Sequence, residues 1–158
     1  MAATDWTTLS PELVTGRMTT YELDLYRTKF LDPADDPDAD GDPLPEIIEG
    51  VISEVRSFVE SCQRNTLAAS PQIPRACVRS AVNTVIYQLL SRIPRIEISE
   101  ARTQLYTDAK EFLKGVAKCQ PIMPTGSDST GGSGSGNPSK SGIQKSSALG
   151  VVNMLPPI

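Results

Sequence analysis

The sequence predicts an all-α fold: a small bundle of about four main helices followed by a long flexible C-terminal tail. Three observations predict it. Apolar residues recur at steps of three and four over long stretches, several helix starts carry capping residues, and the chain turns Gly/Ser-rich from Thr125 onward.

The first element is a single turn. Ser10 has the place of a cap, Pro11 suits the first helical position and Gly16 ends the turn. A second helix follows over about Thr20 to Leu31. Thr19 and Glu22 have capping-box spacing, with Met18 and Leu23 spaced as a hydrophobic staple around them. Leu23, Tyr26, Phe30 and Leu31 are its expected inward residues, and Pro33 stops it.

After the acidic loop DPADDPDADGDPLP comes the strongest periodic signal in the chain: Leu44, Ile47, Ile48, Val51, Ile52, Val55, Phe58, Val59 and Cys62. Steps of three or four with adjacent pairs between them make one wide apolar stripe of a helix ending near Arg64. The next helix begins around Ser70 to Pro74 and carries Cys77, Val78, Ala81, Val82, Val85, Ile86, Leu89, Leu90 and Ile93. Its valines and isoleucines suit a strand, but the period is helical and about twenty residues is too long for one. Pro94 ends it. Ser99 then caps a last helix over about Glu100 to Cys119, with Leu105, Ala109, Phe112, Leu113 and Val116 inward and Ala101 and Ala117 at its ends. Gly115 inside that pattern costs about 1 kcal/mol against alanine, so the last turn is expected to fray. Short linkers favour antiparallel neighbours.

The chain has 158 residues, of which 1–124 form the predicted helical domain and 125–158 the tail. Seven of the eleven glycines lie between Gly126 and Gly150, a composition that buries too little apolar surface to offset the entropy of ordering. The tail nevertheless ends in an apolar segment containing Leu149, Val151, Val152, Met154, Leu155 and Ile158, expected to contact a partner.

A net charge of −4 argues against wholesale coating of nucleic acid. Its distribution says more. Asp32 to Glu49 holds eight acidic residues and no basic one, while Pro74 to Arg95 holds Arg75, Arg79, Arg92 and Arg95 and no acid. Solvated helix faces produce such a pattern, and so do complementary faces on neighbouring subunits. The three cysteines, Cys62, Cys77 and Cys119, are widely spaced with no histidine in the chain, so they are expected to be unpaired apolar fillers in a reducing setting. No signal peptide or membrane span is expected from the opening residues or from the short apolar runs.

Enzymatic chemistry finds little in this composition. Without histidine the common Ser-His and Cys-His pairs cannot form, and no glycine-rich phosphate loop joins a strand to a helix. No cofactor is expected. Asp36, Asp38, Asp40, Gly41 and Asp42 match positions one, three, five, six and seven of an EF-hand loop, but Ile47 stands where the bidentate glutamate belongs and Pro43 lacks an N–H. An acidic helix cap is the favoured reading, and a weak calcium site through Asp36, Asp38, Asp40 and Asp42 the alternative. The arginine-bearing helix offers a second alternative, a small nucleic-acid-binding regulator, without interleaved aromatics to support it. Trp6 is expected to cover an open end of the core in preference to anchoring an interface.

The order of these segments resembles the all-helical head-completion, or connector, proteins of tailed bacteriophages, including the Mu-type head–tail joining family. The resemblance runs over TTLSPELVTGRMTTYEL, DPDADGDPLP, EIIEGVISEVRSFVES, IPRACVRSAVNTVIYQLLSR and SEARTQLYTDAKEFLKGVAKCQ. Tyr106, Lys110, Phe112, Leu113 and Gly115 are its most telling part. The longer proline-bearing acidic loop and the Gly/Ser tail depart from it. It implies a structural virion protein with no catalytic role, forming a ring of about twelve on the portal protein at the head–tail neck. The ring would extend the channel for packaged DNA and hold tail or tail-terminator proteins, after assembly in the bacterial cytoplasm. Arg75, Arg79, Arg92 and Arg95 are then candidate subunit contacts.

Overall fold

A computed structural model of the chain describes residues 5–32 and 41–126. Within them the fold is mostly helical, as the periodicity predicts. The order is β1 (Trp6–Thr7), α1 (Pro11–Thr15), α2 (Thr20–Tyr26) with a π-helical turn (Arg27–Leu31), α3 (Leu44–Ser61), β2 (Ile73–Pro74), α4 (Arg75–Ser91) and α5 (Glu100–Ala117).

Helix α4 is the centre. It touches each of the other four helices, and its buried residues run from Cys77 through Ser80, Ala81, Val82, Thr84, Val85 and Ile86 to Leu90, around most of its circumference. A helix apolar on nearly every side belongs inside a bundle. Thr84, a fully buried polar residue in that set, satisfies its hydroxyl by donating to the Ser80 carbonyl at 2.8 Å. Helices α3 and α5 pack on α4 and on each other, so the three form the main layer. The predicted α3 stripe is the buried face: Leu44, Ile47, Ile48, Val51, Ile52, Val55 and Val59 are all inside.

The helix starts follow the sequence closely. Ser10 accepts from the Leu13 N–H, and Thr19 and Glu22 form a reciprocal capping box. Ser99 accepts from the Arg102 N–H. Asp42 caps α3 through a bond from the Leu44 N–H at 2.9 Å.

Several expectations are corrected. Cys62 and Cys119 are joined in a disulfide with Cα atoms 5.2 Å apart, which ties the end of α3 to the end of α5. The reading of three unpaired thiols fails because the fold sets the C-terminal ends of α3 and α5 side by side, bringing together residues 57 apart in sequence. Only Cys77 is a buried free thiol. Leu31 is 49% exposed, because the second helix finishes in a wider turn, with the Asp32 N–H bonded five residues back to Arg27 O. Ala101 is exposed, and its neighbour Arg102 is buried. The strands β1 and β2 were not foreseen. They are two residues each and pair antiparallel, Trp6 with Pro74 and Thr7 with Ile73.

The end of α5 does not fray. Gln120 N–H bonds to Gly115 O and Cys119 N–H to Val116 O, both at 2.9 Å, with Cys119 at φ 62°. This is a Schellman closure, with cysteine in the left-handed place where glycine is usual. Glycine is needed four residues earlier: a Cβ on Gly115 would lie 2.7 Å from Gln120 O.

The chain then seals the base of the domain. Trp6 is buried as expected, and its Nε1 donates to Pro124 O at 3.2 Å. Met123 N–H bonds to Asn65 Oδ1, and Gly126 N–H to Thr66 O, each at 2.9 Å. Arg56 holds the 62–74 connection to α3 by donating to Gln72 O and Ala68 O.

Candidate interaction site

The strongest polar feature is internal. Glu22 and Arg102, 7% and 6% exposed, form a bidentate pair, Nε to Oε1 at 2.7 Å and Nη2 to Oε2 at 2.6 Å. Each is the third residue of a capped helix, so two helix starts are locked together through one pair. Burial pushes the Glu22 carboxyl up, but the Arg102 guanidinium and the Thr19 N–H bonded to it outweigh burial and hold it below its ordinary value. Glu22 was legible as a capping residue; Arg102 was not legible as its partner, because nothing in a local pattern links residues 80 apart.

A second cluster gathers part of the segment that carried the family resemblance. Lys110 forms an ion pair with Glu54 and lies 5.5 Å from the centre of the Tyr106 ring. Tyr106 in turn stacks on Tyr87 with ring centres 4.1 Å apart. Leu113 is in the core and Phe112 half-buried beside it. These contacts bind α3, α4 and α5 together.

The four candidate arginines do not form one face. Arg75 and Arg79 are exposed on the first turns of α4, and neither forms an ion pair among the described residues. Arg92 and Arg95 sit at the far end of that helix, about 25 Å away at 1.5 Å per residue. Arg92 reaches Glu46 of the same chain at 3.4 Å, an open surface pair of little energetic weight. Arg95 is exposed, with its backbone at φ 62°. The exposed side of α3, by contrast, carries Glu46, Glu49 and Glu60.

Of the calcium alternative, Asp36, Asp38 and Asp40 lie outside the described residues. Asp42 is within them, and its carboxylate serves the chain itself by capping α3 and accepting from the Tyr26 hydroxyl. Burial, then the bond to Asp42 and its negative charge, raise the Tyr26 phenol well above its usual value. Among the described residues no cluster of three or more metal-ligating side chains occurs, and no helix is long and apolar enough to cross a membrane. Leu149, Val151, Val152, Met154, Leu155 and Ile158 also lie outside the described residues.

One groove combines apolar and polar side chains. It runs between α4 and α5, has a volume of about 360 Å³, and is lined by Ala76, Arg79, Ser80, Asn83, Leu105, Asp108, Ala109 and Phe112. Ser80 is 8% exposed, and among the described residues no buried side-chain nitrogen or oxygen lacks a hydrogen-bond partner. No family model, no curated protein and no solved structure matches the chain.

Proposed function

We propose that this chain is a structural adaptor, a head–tail connector subunit of a tailed bacteriophage. It forms a ring of about twelve on the portal protein, extends the channel for packaged DNA and presents the surface to which tail proteins attach. The observation that carries this reading is the separation of basic and acidic surface on one small helical domain. Arg75 and Arg79 form no ion pair among the described residues, while α3 turns Glu49 and Glu60 outward, with Glu46 held only by its open pair with Arg92. Closed cyclic assemblies need two different, complementary patches on each subunit, and such a charge split provides them. The buried Glu22–Arg102 pair and the half-buried Arg56, by comparison, serve architecture, the latter holding the 62–74 connection.

The segment order described above supports the same assignment. The mechanism is geometric, with shape and charge complementarity between rings and no bond made or broken. Cryo-electron microscopy of the particle neck tests it. The expected result is this chain in a ring between portal and tail. Finding it in the capsid shell or the tail tube rejects the connector role.

A further inference from the structure

We propose that the Cys62–Cys119 disulfide is a thiol-exchange latch on residues 119–126. A small thiol of the glutathione class opens it and frees that segment from the base of the domain, while the helical bundle stays folded. The latch does not rest on the connector reading, and three features of the structure carry it.

The first is the order of the contacts. Beyond their last helical turns, the segments leaving α3 and α5 run against each other. Cys62 is bonded to Cys119, Asn65 Oδ1 accepts from the Met123 N–H, and Thr66 O accepts from the Gly126 N–H. The disulfide is the first rung of this series and its covalent one. It fixes the point from which residues 119–126 set out across the 62–74 connection.

The second is how little else holds the segment. Of its eight residues Met123 alone is buried, and Gln120, Pro121, Ile122 and Thr125 are exposed. The Met123 sulfur lies 3.8 Å from the Cys77 thiol, and Pro124 O accepts from Trp6 Nε1. Beyond the turn on Gly115 and Val116, one buried side chain and three hydrogen bonds are a small return for ordering eight residues. The turn itself puts Cys119 at φ 62°, a conformation that favours glycine, so a cysteine there draws on its bond to Cys62.

The third is access. Cys62 is 1% exposed, whereas Cys119 is half-buried, so a thiolate arriving from solvent meets the Cys119 sulfur. Its attack forms a mixed disulfide on Cys119 and breaks the bond to Cys62. The electron pair leaves on the Cys62 sulfur, which takes up a proton from water. A second small thiolate attacks the small molecule's sulfur in the mixed disulfide, and Cys119 leaves and is protonated in turn. Two small thiols are oxidised to one small disulfide, and the protein disulfide is reduced to two thiols. Closing is the reverse, with the small disulfide as oxidant. Cys77 is buried, which pushes its thiol up to about 12 and keeps it out of the exchange.

The bundle does not depend on the latch. Val59, Leu113 and Val116 are fully buried in the packing of α3, α4 and α5, upstream of the cysteine that follows each. Opening therefore moves the base and leaves the core. Trp6, the only tryptophan in the chain, is bonded to Pro124 within the segment and reports on its position.

The test treats the oxidised full-length chain with millimolar glutathione under native conditions, with free thiols counted by maleimide in a parallel sample. The expected result is labelling at Cys62 and Cys119, amide exchange at Met123 and Gly126 at least tenfold faster, and Trp6 emission shifted to the red, under an unchanged helical spectrum. Glutathione disulfide added afterwards should restore slow exchange and the original emission. Cys62→Ser with Cys119→Ser should show the fast exchange from the outset and no response to glutathione. Labelled thiols with exchange and Trp6 emission unchanged would make the bond a passive staple and overturn the proposal. Loss of the helical spectrum on reduction overturns it too, since the bond would then hold the bundle. So does a bond that glutathione opens only in denaturant, or one that glutathione disulfide fails to reseal.

Discussion

Glu22 and Arg102 stand 80 residues apart in sequence and share two hydrogen bonds in the core. Removing one partner leaves the other charge buried and unpaired, so Arg102→Ala should cost about 3–5 kcal/mol, read by chemical denaturation. Replacing both by Glu22→Leu and Arg102→Met should cost clearly less than the single change, because no charge is then stranded. The pair also fixes a pH response. The folded-state value of Glu22 lies below its ordinary 4.5, so its contribution is complete above that value and is lost as pH falls through the depressed one. Melting temperatures measured from pH 6 downward should fall below about pH 4.5, and Glu22→Gln should lack that part of the loss. Equal acid sensitivity in both proteins would remove Glu22 from the account.

The junction of α3 and α5 shows why some elements were legible and others were not. The α3 stripe, the Thr19–Glu22 capping box and the Ser99 cap are local patterns, and local patterns follow from spacing alone. The cysteine pairing and the Gly115 requirement depend on where the chain goes afterwards, and spacing carries no trace of that. Gly115 looked like a weak point in a helix, yet the reversal at Cys119 leaves no room there for a methyl group. Gly115→Ala should therefore destabilise by up to about 2 kcal/mol, despite the helix-propensity gain of about 1 kcal/mol that alanine brings. An increase in melting temperature would show that the turn yields freely. The Cys62–Cys119 bond closes a separation of 57 residues, for which chain entropy alone gives about 4 kcal/mol. Cys62→Ser with Cys119→Ser should lower stability by no more than that and leave the helical spectrum in place, since the core of α3, α4 and α5 packs without it.

At the scale of the whole molecule, the described domain closes on itself before the apolar C-terminal segment begins. Trp6 bonds to Pro124, Met123 to Asn65 and Gly126 to Thr66, so the base is sealed by residue 126. The all-α fold was legible because burial in a bundle imposes a period on sequence. The groove was not, because Ala76, Ser80 and Ala109 carry no signal of their own and line a groove only when α4 and α5 lie side by side. The C-terminal segment is a different case: Leu149, Val151, Val152, Met154, Leu155 and Ile158 are apolar, and a purely solubilising tail has no need of them. The 34 residues from Thr125 reach about 30 Å as a coil and up to about 110 Å when extended. On the connector reading proposed above, that reach covers a neighbouring subunit, the portal or the tail, and tethering raises the local concentration enough to fill a weak docking site. An extended Val-Val-Asn-Met-Leu run can add to a sheet edge or lie in an apolar groove. Deleting residues 148–158 should therefore leave the melting temperature of the helical domain unchanged, because its sealing contacts lie upstream, while the yield of tailed particles falls at least tenfold. Truncated protein that supports normal particle yield would show that the segment anchors nothing. A truncation that lowers the melting temperature would place its contacts within the same subunit.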